Sequence, residues 1–149
     1  MEATEKKLKL IVFELQKEEY AIPVQQVRSI EKLLPITRVP NVPPHIKGVI
    51  NLRGVITPIV DLRTRFNLEE KVKTDASRII ITVVDEQEVG FIVDAANDVV
   101  DITEDQIEPA PEVVGSVENQ YVQGVVKIDK RLFVCLDLNE ILQLDQSKD

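Results

Sequence analysis

An internal repeat limits the folds that are open to this chain. Residues 48–62 and 124–138 each begin with Gly and two aliphatic residues and end with Asp-Leu, and the separation from Gly to Asp is the same in both. Upstream of these segments, residues 22–30 and 91–99 carry apolar side chains at matching positions. Two copies of one small unit, arranged in the same order along the chain, explain all of these matches together.

Short apolar runs, rich in Val and Ile and bounded by charged or Gly- and Pro-containing turns, predict that each unit is built from β-strands. Turn signals at residues 16–19 and 85–87 predict hairpins, so the strands should pair largely antiparallel. About four or five short strands per unit suit a small closed barrel, because closure removes exposed sheet edges. The predicted strands cover residues 8–15, 19–24, 47–53, 55–62, 78–84, 88–94, 122–128 and 131–137.

Helical signals are weaker and fall in three short segments. Pro23 near a first turn predicts a helix over residues 23–31, and residues 94–99 predict a similar short turn. Apolar residues at partly helical spacing predict a C-terminal helix at about residues 138–145. The polar segment 67–77 is the expected join between the two units. The predicted fold class is therefore all-β with short helices.

The charge and cysteine content argue against several classes of partner and compartment. The chain has 26 acidic and 18 basic side chains, for a net charge of −8, so phosphate backbones and anionic lipids should repel it. No apolar run approaches the roughly 20 residues that span a bilayer. The single cysteine, Cys135, cannot form an internal disulfide and fits a reducing compartment. We expect a cytoplasmic protein that neither binds nucleic acid nor inserts into a membrane.

Residues suited to catalysis are scarce. His45 is the only histidine, and its place in a Pro-rich segment predicts a solvated loop residue rather than a catalytic base. One His and one Cys cannot supply a zinc site, and the acidic clusters lack the ligand spacing of a calcium loop. Gly54 and Gly90 are isolated, so there is no glycine-rich phosphate cradle. We therefore predict no enzyme activity, no metal and no cofactor.

Candidate protein-contact residues are easier to find. Arg53 and Gly54 stand at a turn between two apolar strands, where a planar guanidinium can reach across the surface to a partner. Val27, Ile30 and Val99 would line a cleft between the two units if they are exposed. Arg53 also fits an ordinary charged turn, and the three apolar residues also fit the core.

Several segments match the signatures of one known family. The most specific runs from Ile46 to Arg63 and has Asn-Leu-Arg-Gly at its centre. Other matches are the segments 19–30, 90–94, 107–111 and 136–138 and the pair Gly124-Val125. Together these motifs cover about residues 8–142, and the chain resembles the CheW family of bacterial chemotaxis coupling proteins.

This resemblance implies one CheW-like domain over residues 1–149, built as two SH3-like β-barrels packed side by side. The first barrel is expected mainly at about residues 8–68 and the second mainly at about 76–138. The resemblance also implies an adaptor without catalysis. Such an adaptor couples the cytoplasmic tips of methyl-accepting chemotaxis receptors to the regulatory domain of the histidine kinase CheA, in receptor arrays at the inner membrane.

Two groups of binding residues are expected, and among them the resemblance links Val27 and Arg53 to receptor coupling and Gly48 to kinase association. The expected kinase-binding residues are Pro40, Pro43 and Gly48. One departure from the family pattern matters: Ser29 stands where a glutamate is usual, and Glu31 is the nearest carboxylate that could replace it. The expected receptor-binding residues are Val27, Ile30, Glu31, Arg53 and Val99.

Two other functions remain open at this point. A freestanding module of the same fold would regulate a kinase pathway outside chemotaxis. A small-ligand-binding β-protein would fit if the cleft between the two barrels is deep.

Overall fold

Ten strands form two five-stranded sheets in the computed structural model, which describes residues 6–66, 68, 74–110, 113–114 and 117–143. Sheet one has the strand order β11-β12-β2-β1-β8 and sheet two the order β3-β6-β7-β5-β4. Two antiparallel strands of two residues each, β9 and β10, lie between β8 and β11 in the chain. The strands are β1 Lys7–Leu15, β2 Glu18–Pro23, β3 Val27–Lys32, β4 Ile46–Leu52, β5 Val55–Asp61, β6 Arg78–Val84, β7 Gln87–Val93, β8 Ala95–Thr103, β9 Val113–Val114, β10 Val117–Glu118, β11 Val122–Ile128 and β12 Arg131–Leu136. The helices are α1 Leu62–Arg65 and α2 Leu138–Gln143.

The eight predicted strands are present, and the predicted all-β class is confirmed. Both predicted hairpins turn through two residues with positive φ, Gln16 and Lys17 in one and Asp85 and Glu86 in the other. That backbone twist matches the right-handed twist of the paired strands, which is why such short turns close hairpins. The predicted C-terminal helix is also present as α2, and residues 144–149 lie outside the described part of the chain.

Two of the predicted helical segments are wrong. Residues 24–26 form one 3₁₀ turn and then β3 begins, and the predicted turn at 94–99 is the start of β8. In each strand the pairing register shifts at a bulge, between Val27 and Ser29 in β3 and opposite Val12 and Phe13 in β8. A bulge adds one residue to the strand. Apolar positions that would alternate at two then lie three apart, which imitates the spacing of a helix.

The repeat units exchange their first hairpins. Sheet one combines the β1–β2 hairpin of the first unit with β8, β11 and β12 of the second, and sheet two combines the β6–β7 hairpin with β3, β4 and β5. The sheets therefore do not follow the expected division at residues 8–68 and 76–138. The hairpin that comes from the other repeat unit joins each sheet through a short parallel pairing, β2 with β12 and β7 with β5. Most of the expected join at 67–77 lies outside the described residues.

In the described part of the chain, an isolated bridge joins the two edges of each sheet and closes it into a barrel-like unit. After β3, Thr37 pairs with Val49 of β4 through two backbone hydrogen bonds of 2.9 Å. After β8, Glu108 pairs with Val125 of β11 through bonds of 2.8 and 2.9 Å. These two bridges, the closing bridges below, occupy equivalent places in the repeat.

Apolar side chains fill both barrel-like units and the space between them. One cluster lies within sheet one around Val12 and Phe133, and another lies within sheet two around Ile79 and Ile81. A larger central cluster draws on both sheets and both helices. Its most enclosed members include Phe13, Leu15, Tyr20, Ile22, Leu62, Ile80, Phe91, Leu136 and Ile141. Each such side chain contributes roughly 1.5–3 kcal/mol on burial, so this cluster holds the two units side by side.

Candidate protein-binding site

Arg53 stands at the tip of a tight turn. It and Gly54 connect β4 to β5, with φ values of 52° and 87° that the turn requires at both positions. The side chain of Asn51 accepts a hydrogen bond of 2.9 Å from the amide of Gly54, which fixes the turn further. The guanidinium is therefore presented on a rigid support, with 69% of the side chain exposed.

Glu31 is the partner of Arg53. Arg53 Nη2 donates a hydrogen bond of 3.2 Å to Glu31 Oε2, although the two residues are distant in sequence. β3 and β4 are the two edges of sheet two, and their approach brings the pair together. The neighbouring Ser29 hydroxyl and then the Arg53 guanidinium lower the pKa of the Glu31 carboxyl. Glu31 therefore supplies the carboxylate beside Arg53 in a chain that has Ser at position 29.

Exposed apolar side chains adjoin this ion pair along the chain. Ile30, on β3 next to Glu31, is exposed as expected. Val55 and Ile56, directly after the Arg53 turn, are 48% and 63% exposed and were not predicted. Two adjacent apolar residues on a strand point to opposite faces, so a run that begins at a turn places at least one of them outward. This run of apolar residues after the turn could have identified Val55 and Ile56 as exposed candidates from the sequence.

The two other expected receptor residues lie in different surroundings. Val27 is half-buried and packs against the central cluster, so part of its side chain belongs to the core. Val99 is exposed, but it lies in sheet one, where it pairs with Ile11, and not in the sheet that carries Arg53. Sheet two thus holds Ile30, Glu31 and Arg53 together with Val55 and Ile56, and we call these five residues the arginine patch.

Two of the expected kinase-binding residues line a groove. Pro40 and Pro43 lie in the segment between β3 and β4, which borders a groove of about 640 Å³. Gly48, the third, lies in β4 beneath this segment. The groove is lined by Ile36, Arg38, Val39, Pro40, Asn41, Val42, Pro43, Pro44, Ile46, Lys47 and Ile92. We call residues 36–44 the closing strap, because they carry Thr37 of the closing bridge.

His45 contradicts its sequence-based expectation. Its side chain is buried, and its carbonyl accepts a hydrogen bond of 2.8 Å from the amide of Asp61. This bond ties the end of the strap to the end of β5, so the residue enters the sheet and does not stay in solvent.

The described residues show neither a metal site nor a spanning helix. Among them, no three His, Cys, Asp or Glu side chains are grouped so that they could hold an ion. None of the helices in the described ranges is long and apolar enough to cross a membrane. Between the two sheets, the central cluster occupies the place where a deep ligand cleft would lie.

Comparison with known proteins places these features in a family. Residues 9–146 match the family model described as a CheW-like domain. The chain is 50% identical to chemotaxis protein CheW of Bacillus subtilis over 140 residues, which cover 94% of this chain and 90% of that protein. It is 36% identical to chemotaxis protein CheW of Klebsiella aerogenes over 137 residues, which cover 91% of this chain and 82% of that protein.

A solved structure shows the same fold. The crystal structure of the scaffolding protein TtCheW from Thermoanaerobacter tengcongensis superposes with a TM-score of 0.82 at 37% sequence identity. The match covers 92% of this chain and 87% of that structure. The two interleaved sheets therefore have an experimental counterpart.

Proposed function

This chain belongs to the CheW family of non-catalytic chemotaxis scaffold proteins, and on that basis we propose that it links chemoreceptors to the histidine kinase CheA. The observation that carries this proposal is the arginine patch. There the exposed guanidinium of Arg53 stands at a tight turn next to Val55 and Ile56 along the chain, its partner Glu31 stands next to Ile30, and all three apolar side chains are exposed. Arginine next to apolar surface is a common composition of protein-binding hot spots.

The receptor is proposed to bind at the arginine patch. Ile30, Val55 and Ile56 would cover apolar side chains on the helical cytoplasmic tip of a methyl-accepting chemotaxis receptor. Arg53 would bind a carboxylate or a carbonyl at the edge of that contact, since its planar fork offers several donors. Glu31 accepts a hydrogen bond from the guanidinium and so keeps Arg53 oriented before the receptor binds. The remaining donors of the guanidinium would be open to the receptor. Val99, in sheet one, stays a candidate for a separate part of the receptor contact.

The regulatory domain of CheA is proposed to bind along the closing strap. Pro40 and Pro43 keep the strap stiff, and exposed Val39 offers apolar contact area. Arg38 and Lys47 add positive charge to the same groove of a chain with a net charge of −8. Such local charge steers a partner with acidic surface residues to this face.

These partners imply the location of the protein. We propose that it resides in the cytoplasm at receptor arrays on the inner membrane, where it is held by the receptors. The net negative charge opposes direct adsorption to anionic lipid, so removal of the receptors should release the protein from the membrane fraction.

Calorimetric titrations with two reciprocal variants test this proposal. The full-length chain is titrated with the CheA regulatory domain and, separately, with a receptor-tip fragment from the same organism. Arg53→Glu should weaken receptor binding about tenfold or more and leave CheA binding within about twofold. Arg38→Glu should do the reverse. If both variants weaken both partners equally, or if the folded wild-type chain binds neither, the assignment of surfaces is wrong and a kinase pathway outside chemotaxis becomes the better hypothesis.

A further inference from the structure

Gly48 and Gly124 occupy the same place in the two repeat units. Each follows a register shift in its strand, between Ile46 and Gly48 in β4 and between Val122 and Gly124 in β11. Each also directly precedes the residue that forms the closing bridge, which is Val49 in one unit and Val125 in the other. The repeat therefore places a glycine next to each bridge.

The backbone approaches both glycines too closely for any side chain. A Cβ atom on Gly48 would overlap the carbonyl oxygen of Thr37, and it would lie 2.8 Å from the carbonyl carbon of Thr37 and 2.9 Å from Cγ2 of Ile36. A Cβ atom on Gly124 would lie 2.7 Å from the carbonyl oxygen of Glu108. Each of these carbonyl oxygens accepts one of the two hydrogen bonds of its closing bridge. A methyl group at either position would therefore push the bridging strand away.

Backbone strain adds to this effect at Gly48 alone. Its φ of 147° is a conformation that residues with a side chain rarely adopt. A substitution at Gly48 thus strains β4 even before the closing strap is displaced.

We propose that Gly48 is a positioning residue for the closing strap. It affects kinase binding through the strap and not through a contact of its own. By leaving room for Thr37, it lets the strap dock on β4 and holds Pro40 and Pro43 in place beside the groove. This inference rests on the proposed function, in which the strap carries the kinase contacts. Gly124 does the same for the segment at Ile107 and Glu108, far along the chain from the strap.

Gly124 provides a matched control for the experiment. Gly48→Ala and Gly124→Ala each add one methyl group next to one closing bridge, but only the first should displace the strap. Hydrogen exchange of single amides, measured by NMR on the full-length chain, reports each bridge through Thr37 and Val49 or through Glu108 and Val125. Binding to the CheA regulatory domain and to the receptor-tip fragment is measured on the same samples.

The expected results differ between the two variants. Gly48→Ala should speed exchange at Thr37 and Val49 roughly tenfold or more and raise the Kd for the CheA domain by a similar factor, with receptor binding within about twofold. Gly124→Ala should speed exchange at Glu108 and Val125 and leave the Kd for the CheA domain within about twofold.

Three results would overturn the inference. Unchanged exchange at Thr37 and Val49 in Gly48→Ala would show that the methyl group is accommodated. Normal CheA binding by a Gly48→Ala variant with an open bridge would show that strap position does not matter. Equal loss of CheA binding in both variants would point to general destabilisation. Failure of the wild-type chain to bind CheA would instead reject the proposed function, and the exchange data would still show whether Gly48 positions the strap.

Discussion

The buried ion pair between Arg63 and Asp94 should be costly to break. Arg63 donates hydrogen bonds of 3.0 Å from Nε and 2.7 Å from Nη2 to the two carboxylate oxygens of Asp94. Asp94 also accepts a bond of 2.8 Å from the amide of Gln16, so it joins α1, the end of β7 and the turn of the first hairpin. The side chains are only 9% and 16% exposed. Asp94→Ala would remove this carboxylate from the buried guanidinium.

The expected cost follows from that burial. Removing one partner of a buried ion pair costs about 3–5 kcal/mol, against a total free energy of unfolding of about 5–15 kcal/mol for a domain. At roughly 2–4 °C per kcal/mol for a chain of this size, the melting temperature should fall by roughly 6–20 °C. The exposed pair of Lys9 and Asp101 has a similar 2.7 Å separation with side chains 57% and 77% exposed. Asp101→Ala should therefore cost about 1 kcal/mol or less.

Urea denaturation followed by circular dichroism compares the two variants directly. Asp94→Ala should lower the denaturation midpoint far more than Asp101→Ala, with the slope of the transition unchanged in both. Equal, small losses in the two variants would show that burial does not determine what these ion pairs contribute.

Three further predictions concern separate parts of the molecule. Because Ser29 and Arg53 lower the pKa of Glu31, its carboxyl should titrate below the ordinary glutamate value in carboxyl-carbon NMR. The ion pair should persist at neutral pH and be lost only as the pH falls through that lowered pKa. A Glu31 titration midpoint that Arg53→Ala leaves unchanged would contradict the pairing. Burial raises the pKa of the Cys135 thiol to about 11, so alkylation by iodoacetamide at pH 8 should occur only as the protein unfolds. The contribution of the protonated thiol to stability should be lost as the pH rises from about 9 to about 11. Alkylation as fast as that of a free thiol would show that Cys135 is accessible in the folded protein. Because the hairpins are exchanged, fragments 1–68 and 69–149 should not fold alone but should fold when mixed, as followed by circular dichroism, and independent folding of either fragment would contradict the exchange.

The sequence predicted the bounds of two strands correctly. β6 is an aliphatic run between clear turn signals, and β11 also begins and ends at the predicted residues although Gln123, Gly124 and Lys127 interrupt its apolar residues. β3 and β8 were missed because a bulge interrupts the alternation of each strand, and each bulge forms where the strand pairs with one that is distant in sequence. Arg53 was recognisable because glycine follows it at a turn, whereas its pairing with Glu31 depends on how the edges of sheet two meet.

The exchange of hairpins was not accessible from the sequence. Both units carry the same hairpin pattern, so each hairpin has the right apolar face to complete either sheet. Local periodicity cannot distinguish the two pairings, which differ only in contacts between the units. The parallel pairings of β2 with β12 and of β7 with β5 show that each hairpin joins the strands of the other unit.

A retention experiment tests whether this chain bridges receptor and kinase. The CheA regulatory domain is immobilised, and a receptor-tip fragment is passed over it with and without the full-length chain. The fragment should be retained only when the chain is present, and Arg53→Glu should abolish this retention while the variant itself still binds CheA. Retention of the chain without the fragment, at concentrations where each partner binds separately, would contradict the bridging role.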